Sequence, residues 1–203
     1  MKENLSELVF ILDKSGSMHG FEADTVGGFN SMIEKQRGEA GAAFVTTYLF
    51  NTECCMLHDR APIEAVEPMA VKDFRVGGCT ALYDTVGNAI KHIESIHKYA
   101  RKSDIPEHTI FVISTDGYEN ASRHYSHTSV KKMIEEKKDL GWEFIFLGAN
   151  INVEAVAGDI GISRECAMSF DQSHDGIDAA YCVMSEAISE RRRNRKTTDK
   201  KED

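Results

Sequence analysis

Leu8-Val9-Phe10-Ile11-Leu12-Asp13-Lys14-Ser15-Gly16-Ser17 is the stretch on which the reading of this chain turns. Five consecutive large apolar residues with no polar alternation describe a strand buried on both faces, as in a parallel sheet covered by helices. The run stops at Asp13 and gives way to small polar residues and glycine. A second run of the same kind, Thr109 to Ser114, ends on Thr115-Asp116-Gly117.

Outward from the first run, Val26, Phe29, Met32 and Ile33 recur at helical spacing between Ala23 and Arg37, and Gly38 supplies a stop. Ala42 to Phe50 and Cys54 to Asp59 are β-prone and joined by Asn51-Thr52-Glu53, which predicts an antiparallel hairpin. After a loop with Pro62 and Pro68, Gly77-Gly78-Cys79-Thr80 precedes a helix marked by Leu82, Val86, Ile90, Ile93 and Ile96, ending near Arg101. Beyond the Thr109 strand come a helix over 128–140, a strand over 142–147, a short helix near 152–159, a strand over 166–170 and a last helix from about 175. Strands alternating with helices make the fold class α/β, a mostly parallel sheet between helix layers.

The length of 203 residues suits one domain. No apolar run approaches the roughly 18 residues of a membrane helix, and Met1 to Glu7 is polar where a secretory signal is basic and then apolar. These features predict no membrane span and a cytoplasmic location. Cys54, Cys55, Cys79, Cys166 and Cys182 are odd in number and lack paired CxxC spacing, so they are expected as reduced, mostly buried thiols. Of the net charge of −9, residues 191–203 contribute +4 through seven Lys or Arg against three Asp or Glu, leaving −13 on residues 1–190. An acidic body repels phosphate backbones, which disfavours nucleic acid as a partner. The expected division is a domain over 1–190 and a charged, disordered tail over 191–203. Tail arginines could touch RNA or lipid headgroups; a fraying helix end is the simpler reading.

Chemistry concentrates in Asp13, Ser15 and Ser17, in Thr80 after two glycines, and in Asp116. All stand just past strand ends or at a helix start. Open α/β sheets bind ligands at that edge, where the strand order reverses, and right-handed crossovers bring both loops to it. Two carboxylates and three hydroxyls are hard oxygen donors, a set that suits Mg²⁺. The pattern D-x-S-x-S, a distant Thr and a strand-end Asp resembles the von Willebrand factor A domain with its metal-ion-dependent adhesion site (MIDAS), in a bacterial intracellular form. Thr80-Ala81-Leu82-Tyr83-Asp84 is similar to the helix start of bacterial members, whereas Cys79 departs from the common Gly-Thr step. The resemblance covers about residues 6–190. It implies a three-layer Rossmann-like fold with a mostly parallel six-stranded sheet, one antiparallel edge strand and helices on both faces. It also implies a site for Mg²⁺, with Mn²⁺ or Ca²⁺ as substitutes. Ser15, Ser17 and Thr80 would bind directly, Asp13 and Asp116 largely through water, and a partner's Glu or Asp would fill the remaining position. Two formal negative charges only just balance a divalent cation, which leaves it electrophilic. The expected rim for the partner is Lys14, Met18, His19, Tyr118 and Glu119, with Phe21 equally suited to the core.

The expected function is a metal-dependent protein-interaction module, a cytoplasmic adaptor or assembly subunit without catalysis. The competing class is a phosphoryl-transfer enzyme of the haloacid dehalogenase type with Asp13 as nucleophile. Those enzymes resemble D-x-D in the first loop, where this chain has Ser15, and need a late Lys that no strand end after residue 138 offers. His124 and His127 are expected as solvated loop residues, and His92 and His97, five apart on a helix, as unrelated to each other.

Overall fold

A computed structural model of the chain describes residues 2–194. Six strands form one sheet in the order β3-β2-β1-β4-β5-β6: β1 Lys2–Asp13, β2 Ala42–Phe50, β3 Cys54–Pro62, β4 Pro106–Thr115, β5 Glu143–Gly148 and β6 Ala167–Ser169. Only the edge pair β2 and β3 is antiparallel; the other pairings are parallel. Between them run α1 Glu22–Arg37, α2 Leu82–Tyr99, α3 His127–Asp139, α4 Val153–Asp159 and α5 His174–Arg193.

The unbroken apolar runs follow from burial on both faces. Successive strand residues point to opposite sides, so Leu8, Phe10 and Leu12 join one core with Ile110, Val112, Ile145 and Leu147 under α1 and α5. Val9 and Ile11 join the other with Phe111, Ile113, Phe144 and Phe146 under α2, α3 and α4. The expected α/β class, parallel sheet and hairpin are all present. The central position of β1, between β2 and β4, sets the reversal of strand order beside its own carboxyl end.

Four expectations need correction. β1 begins well before Leu8, because Ser6 and Glu7 are buried within it. The fully buried Glu7 is paired at 2.8 Å with Arg60, which is held at φ +45° where the β2–β3 register shifts. The thiols are not buried: Cys54, Cys55, Cys79 and Cys182 are exposed and Cys166 half-buried, since they fall on the edge hairpin, a loop and the outer side of α5 rather than on core positions. The start of the charged segment is helical, with Arg191–Arg193 completing α5. Arg192 is buried and donates to Gln36 O at 2.7 Å, Gln36 Oε1 at 3.0 Å and Gly41 O at 3.0 Å, so it fastens α5 to α1 and the start of β2. The rest of the expected tail, from residue 195, lies outside the described residues. Finally, His127 is the first residue of α3 and half-buried, its ring 6.2 Å from that of Tyr83.

The packing of α1 on α5 gives a paired test. A Cβ on Gly28 would lie 2.4 Å from the Tyr181 ring, while one on the exposed neighbour Gly27 meets nothing within 4 Å. Replacing a helical Gly by Ala gains about 0.5–1 kcal/mol, and overpacking a core costs about 1–3 kcal/mol. Thermal denaturation should therefore show Gly27→Ala raising the midpoint and Gly28→Ala lowering it.

Candidate metal centre

The edge formed by the carboxyl ends of β1 and β4 carries Asp13, Thr115 and Asp116. Asp13 ends β1, and its carboxylate is held from two sides. The Ser15 N–H donates to Oδ1 at 2.7 Å, shaping the turn, and the Thr115 hydroxyl donates to Oδ2 at 2.6 Å across the strand pair. Ser15 Oγ and Ser17 Oγ lie 3.1 Å apart. Ser17 Oγ donates to Asp116 Oδ1 at 2.8 Å, and the Gln172 amide, from the loop after β6, donates to Asp116 Oδ2 at 2.6 Å and to the Ser17 carbonyl at 2.9 Å.

Thr80 reaches the same place from the loop before α2. Its hydroxyl and that of Ser17 converge over Gly117, where a Cβ would stand 3.4 Å from Thr80 Oγ1 and 3.8 Å from Ser17 Oγ. Its backbone is fixed on both sides by Asn120, which accepts from Thr80 N–H at 2.8 Å and donates to its carbonyl at 3.0 Å. The glycine loop is tied to the Asp13 turn by Gly77 N–H to Lys14 O at 3.0 Å and Gly16 N–H to Gly78 O at 3.1 Å. Gly78 has φ +76°, and a Cβ there would stand 2.7 Å from Thr52 Oγ1, so glycine is required. Cys79 is accommodated by donating its N–H to that same Thr52 oxygen at 2.8 Å while remaining exposed.

The five candidate ligand residues therefore meet at one edge. Asp13, Ser15, Thr80 and Asp116 are each at most 3% exposed, and Ser17 is exposed. Burial pushes the Asp13 carboxyl up to about 6 against the opposing pull of the Thr115 and Ser15 hydrogen bonds, with the Asp116 charge adding to the rise. Burial likewise raises Asp116. Among the described residues neither carboxylate forms an ion pair with a Lys, Arg or His. Two buried carboxylates beside three hydroxyls, without a protein cation, fit a hard divalent metal. Among the described residues no three His, Cys, Asp or Glu side chains gather to hold a metal elsewhere.

The expected rim is only partly brought to the surface. His19 is exposed and pairs with Glu22 at 3.2 Å. The Tyr118 ring is 55% exposed, with its hydroxyl accepting from Asn152 N–H at 3.0 Å. Lys14 and Phe21 are half-buried, Phe21 packing against the core. Met18 is a correction: it is 6% exposed and belongs to the core between β1 and α1. Glu119 is another, because its carboxylate is taken up internally by the N–H groups of Ala121, Ser122 and Tyr83 and by the Ser122 hydroxyl, at 2.6–2.9 Å. Together with Asp84, which accepts from the N–H groups of Arg123, His124 and Tyr125, Glu119 stitches the loop after Asp116 to the start of α2. Sequence reasoning missed Thr115, Asn120 and Gln172. Thr115 adjoins Asp116 and follows a strand, a readable position; Gln172 is 56 residues from its carboxylate partner and carries no motif.

No protein-family model matches the chain, and neither does any curated protein sequence. Solved structures do. The von Willebrand factor domain of the type V pili tip protein Mfa5 from Porphyromonas gingivalis aligns over 98% of this chain and 100% of its own, at 10% identity and a TM-score of 0.62. Proximal thread matrix protein 1 from the mussel byssus aligns over 92% of this chain at 13% identity and a TM-score of 0.62. This chain spans 47% of that mussel protein's length. A structure of the same mussel protein with a zinc occupied MIDAS motif aligns at 14% identity and a TM-score of 0.58, over 92% of this chain and 46% of its own. At these identities the likeness is one of fold.

The buried Asp13 predicts a pH dependence in EDTA. A carboxyl raised from about 3.9 to about 6 keeps its proton more tightly in the folded state. Its contribution is therefore fully present below about pH 4 and is lost as pH climbs to about 6, by about 3 kcal/mol. Urea titrations of the metal-free protein should show Asp13→Asn losing much less stability across that window than the parent. Equal losses would contradict the assignment.

Proposed function

We propose that this chain, which has the von Willebrand factor A fold, is a Mg²⁺-dependent protein-interaction module rather than an enzyme. One observation carries the reading: Ser15, Ser17 and Thr80 converge beside two buried carboxylates that have hydrogen-bond donors but, among the described residues, no cation partner. A mussel protein of similar fold has a structure with a zinc occupied MIDAS motif, which supports reading this cluster as a divalent-metal site. Mg²⁺ is preferred here because every donor is a hard oxygen.

The hydroxyls of Ser15, Ser17 and Thr80 are assigned as direct ligands. Asp13 and Asp116 are assigned to act through water, each of their four oxygens accepting one hydrogen bond from the protein and keeping a further acceptor site for that water. The bound metal would supply a positive centre that accepts one carboxylate oxygen. Ser17 is exposed at this edge, and Tyr118, two residues after Asp116, is exposed with its hydroxyl held by Asn152 N–H; both are assigned to the partner's side of the site. A nucleophilic role for Asp13 is disfavoured by its burial and by the two donors that fix it.

The partner is proposed to be a protein that presents one Glu or Asp within a basic surface. The −13 net charge of residues 1–190 opposes an acidic partner at long range, so local coordination and overall attraction act together only in that arrangement. A cytoplasmic adaptor role is the setting proposed, supported by five free cysteines of which four are exposed, a state suited to a reducing compartment. Among the described residues no helix is long and apolar enough to cross a membrane.

Calorimetry should show Ser15→Ala and Thr80→Ala abolishing Mg²⁺ binding with unchanged circular dichroism. Asp116→Ala should weaken it about 10 to 100-fold, as for groups behind a metal's direct ligands. Parent-like binding by Ser15→Ala or Thr80→Ala would overturn the ligand assignment. Affinity purification from the native cell, with and without EDTA, tests the function: a protein retained with Mg²⁺ and lost on chelation is the expected partner, and retention indifferent to EDTA contradicts it.

A further inference from the structure

A cavity of about 20 Å³ that shares Asp13 with the candidate metal site is lined by the polar residues Asp13, Thr25, Ser114 and Thr115 and otherwise mainly by apolar side chains, with Tyr181 and Met184 of α5 among its walls. Thr25, in the first turns of α1, is 3% exposed, and its Oγ1 is buried with no hydrogen-bond partner. An orphaned buried hydroxyl costs about 1–3 kcal/mol, so its retention in a tightly packed layer calls for a partner. A water needs about 10–15 Å³ and two to four polar contacts; the cavity is large enough, and Thr25, Asp13, Ser114 and Thr115 are the polar residues that line it.

We infer that one ordered water occupies this cavity and bridges Thr25 Oγ1 to the Asp13 carboxylate, which makes Thr25 a positioning residue for the metal centre. An ionised carboxylate offers about four acceptor sites. The Ser15 N–H and the Thr115 hydroxyl fill two of those on Asp13, leaving room for a donor from the cavity below and for water on the metal side above. The bridging water fixes the carboxylate from a third direction and ties the end of β1 to α1. Nothing in the sequence pattern of the site reaches Thr25: it stands 12 positions after Asp13, inside a helix whose periodicity marks it only as inward-facing. The water site is independent of the metal assignment, whereas the positioning role rests on it.

Thr25→Val keeps the volume and removes the hydroxyl; Thr25→Ser keeps the hydroxyl. The experiment combines a high-resolution crystal structure of the parent in EDTA, thermal midpoints of all three proteins in EDTA, and Mg²⁺ calorimetry. The expected results are a water bonded to Thr25 Oγ1 and Asp13, a lower midpoint for Thr25→Val, and about 10-fold weaker Mg²⁺ binding by that variant, with Thr25→Ser binding like the parent. A dry cavity, a Thr25 hydroxyl turned to the Phe21 carbonyl, or a midpoint raised in Thr25→Val, as removal of an orphaned group would give, overturns the water site. A water present with Mg²⁺ affinity unchanged in Thr25→Val overturns the positioning role. A parent that binds no Mg²⁺ refutes the metal reading and with it the positioning role, while the density and the midpoints still decide the water.

Discussion

Two carboxylates, Asp13 and Asp116, are buried side by side at the ends of adjacent parallel strands and, among the described residues, are paired with no cation, and the architecture of this edge answers that constraint. Removing an ionised carboxylate from water costs several kcal/mol unless it is paired or well hydrogen-bonded. Here each oxygen accepts one bond, from Ser15 N–H, Thr115 Oγ1, Ser17 Oγ and the Gln172 amide. Those bonds hold the groups in place without cancelling their charge, which is why burial still raises both. The residual negative charge is what a divalent ion would neutralise. A fold that needed the carboxylates only as turn formers would have no reason to gather three hydroxyls around them.

The sheet makes this placement possible. Parallel pairing of β1 with β4, in register from Ser6 opposite His108 to Leu12 opposite Ser114, delivers Asp13 and Asp116 to the same edge without any long-range coordination of loops. The two helix layers shield the strands on both faces, and the connections supply Thr80, Asn120 and Gln172 from above. Each loop is in turn fixed from outside the site: the glycine loop by Asn51 and Thr52 of the hairpin, and the loop after Asp116 by Glu119 and Asp84. The hydrogen bonds among the candidate ligands and to their carboxylates involve no thiol or imidazole, so the chemistry of the cluster is that of oxygen.

Much of this was legible because it is local. A strand buried on both faces must be apolar at every position, so Leu8 to Leu12 and Thr109 to Ser114 announced themselves. D-x-S-x-S and Thr80 after glycines are short enough to be read as motifs. What could not be read depends on distant partners. Glu7 looks like the end of a polar leader, and its burial in mid-strand is explained by distant partners, Arg60, 53 residues on, and His97 on α2. Gln172 serves Asp116 from a loop without any signature. Arg192 reads as part of a basic tail until Gln36 and Gly41 are seen to receive it. Met18 and Glu119 adjoin the motifs in sequence, yet the short turn at Gly16–Met18 drives one side chain into the core and four neighbouring donors capture the other. Adjacency in sequence to a site residue says little about which way a side chain faces.

In the proposed site the hydroxyls, and not the carboxylates, touch the metal. Anomalous diffraction from crystals grown with Mn²⁺ in place of Mg²⁺ tests it most directly. A single peak is expected at this edge about 2.0–2.2 Å from Ser15 Oγ, Ser17 Oγ and Thr80 Oγ1, with Asp13 and Asp116 reaching it through water. The absence of a peak there, or an ion bound to both carboxylates and out of reach of the three hydroxyls, would contradict it.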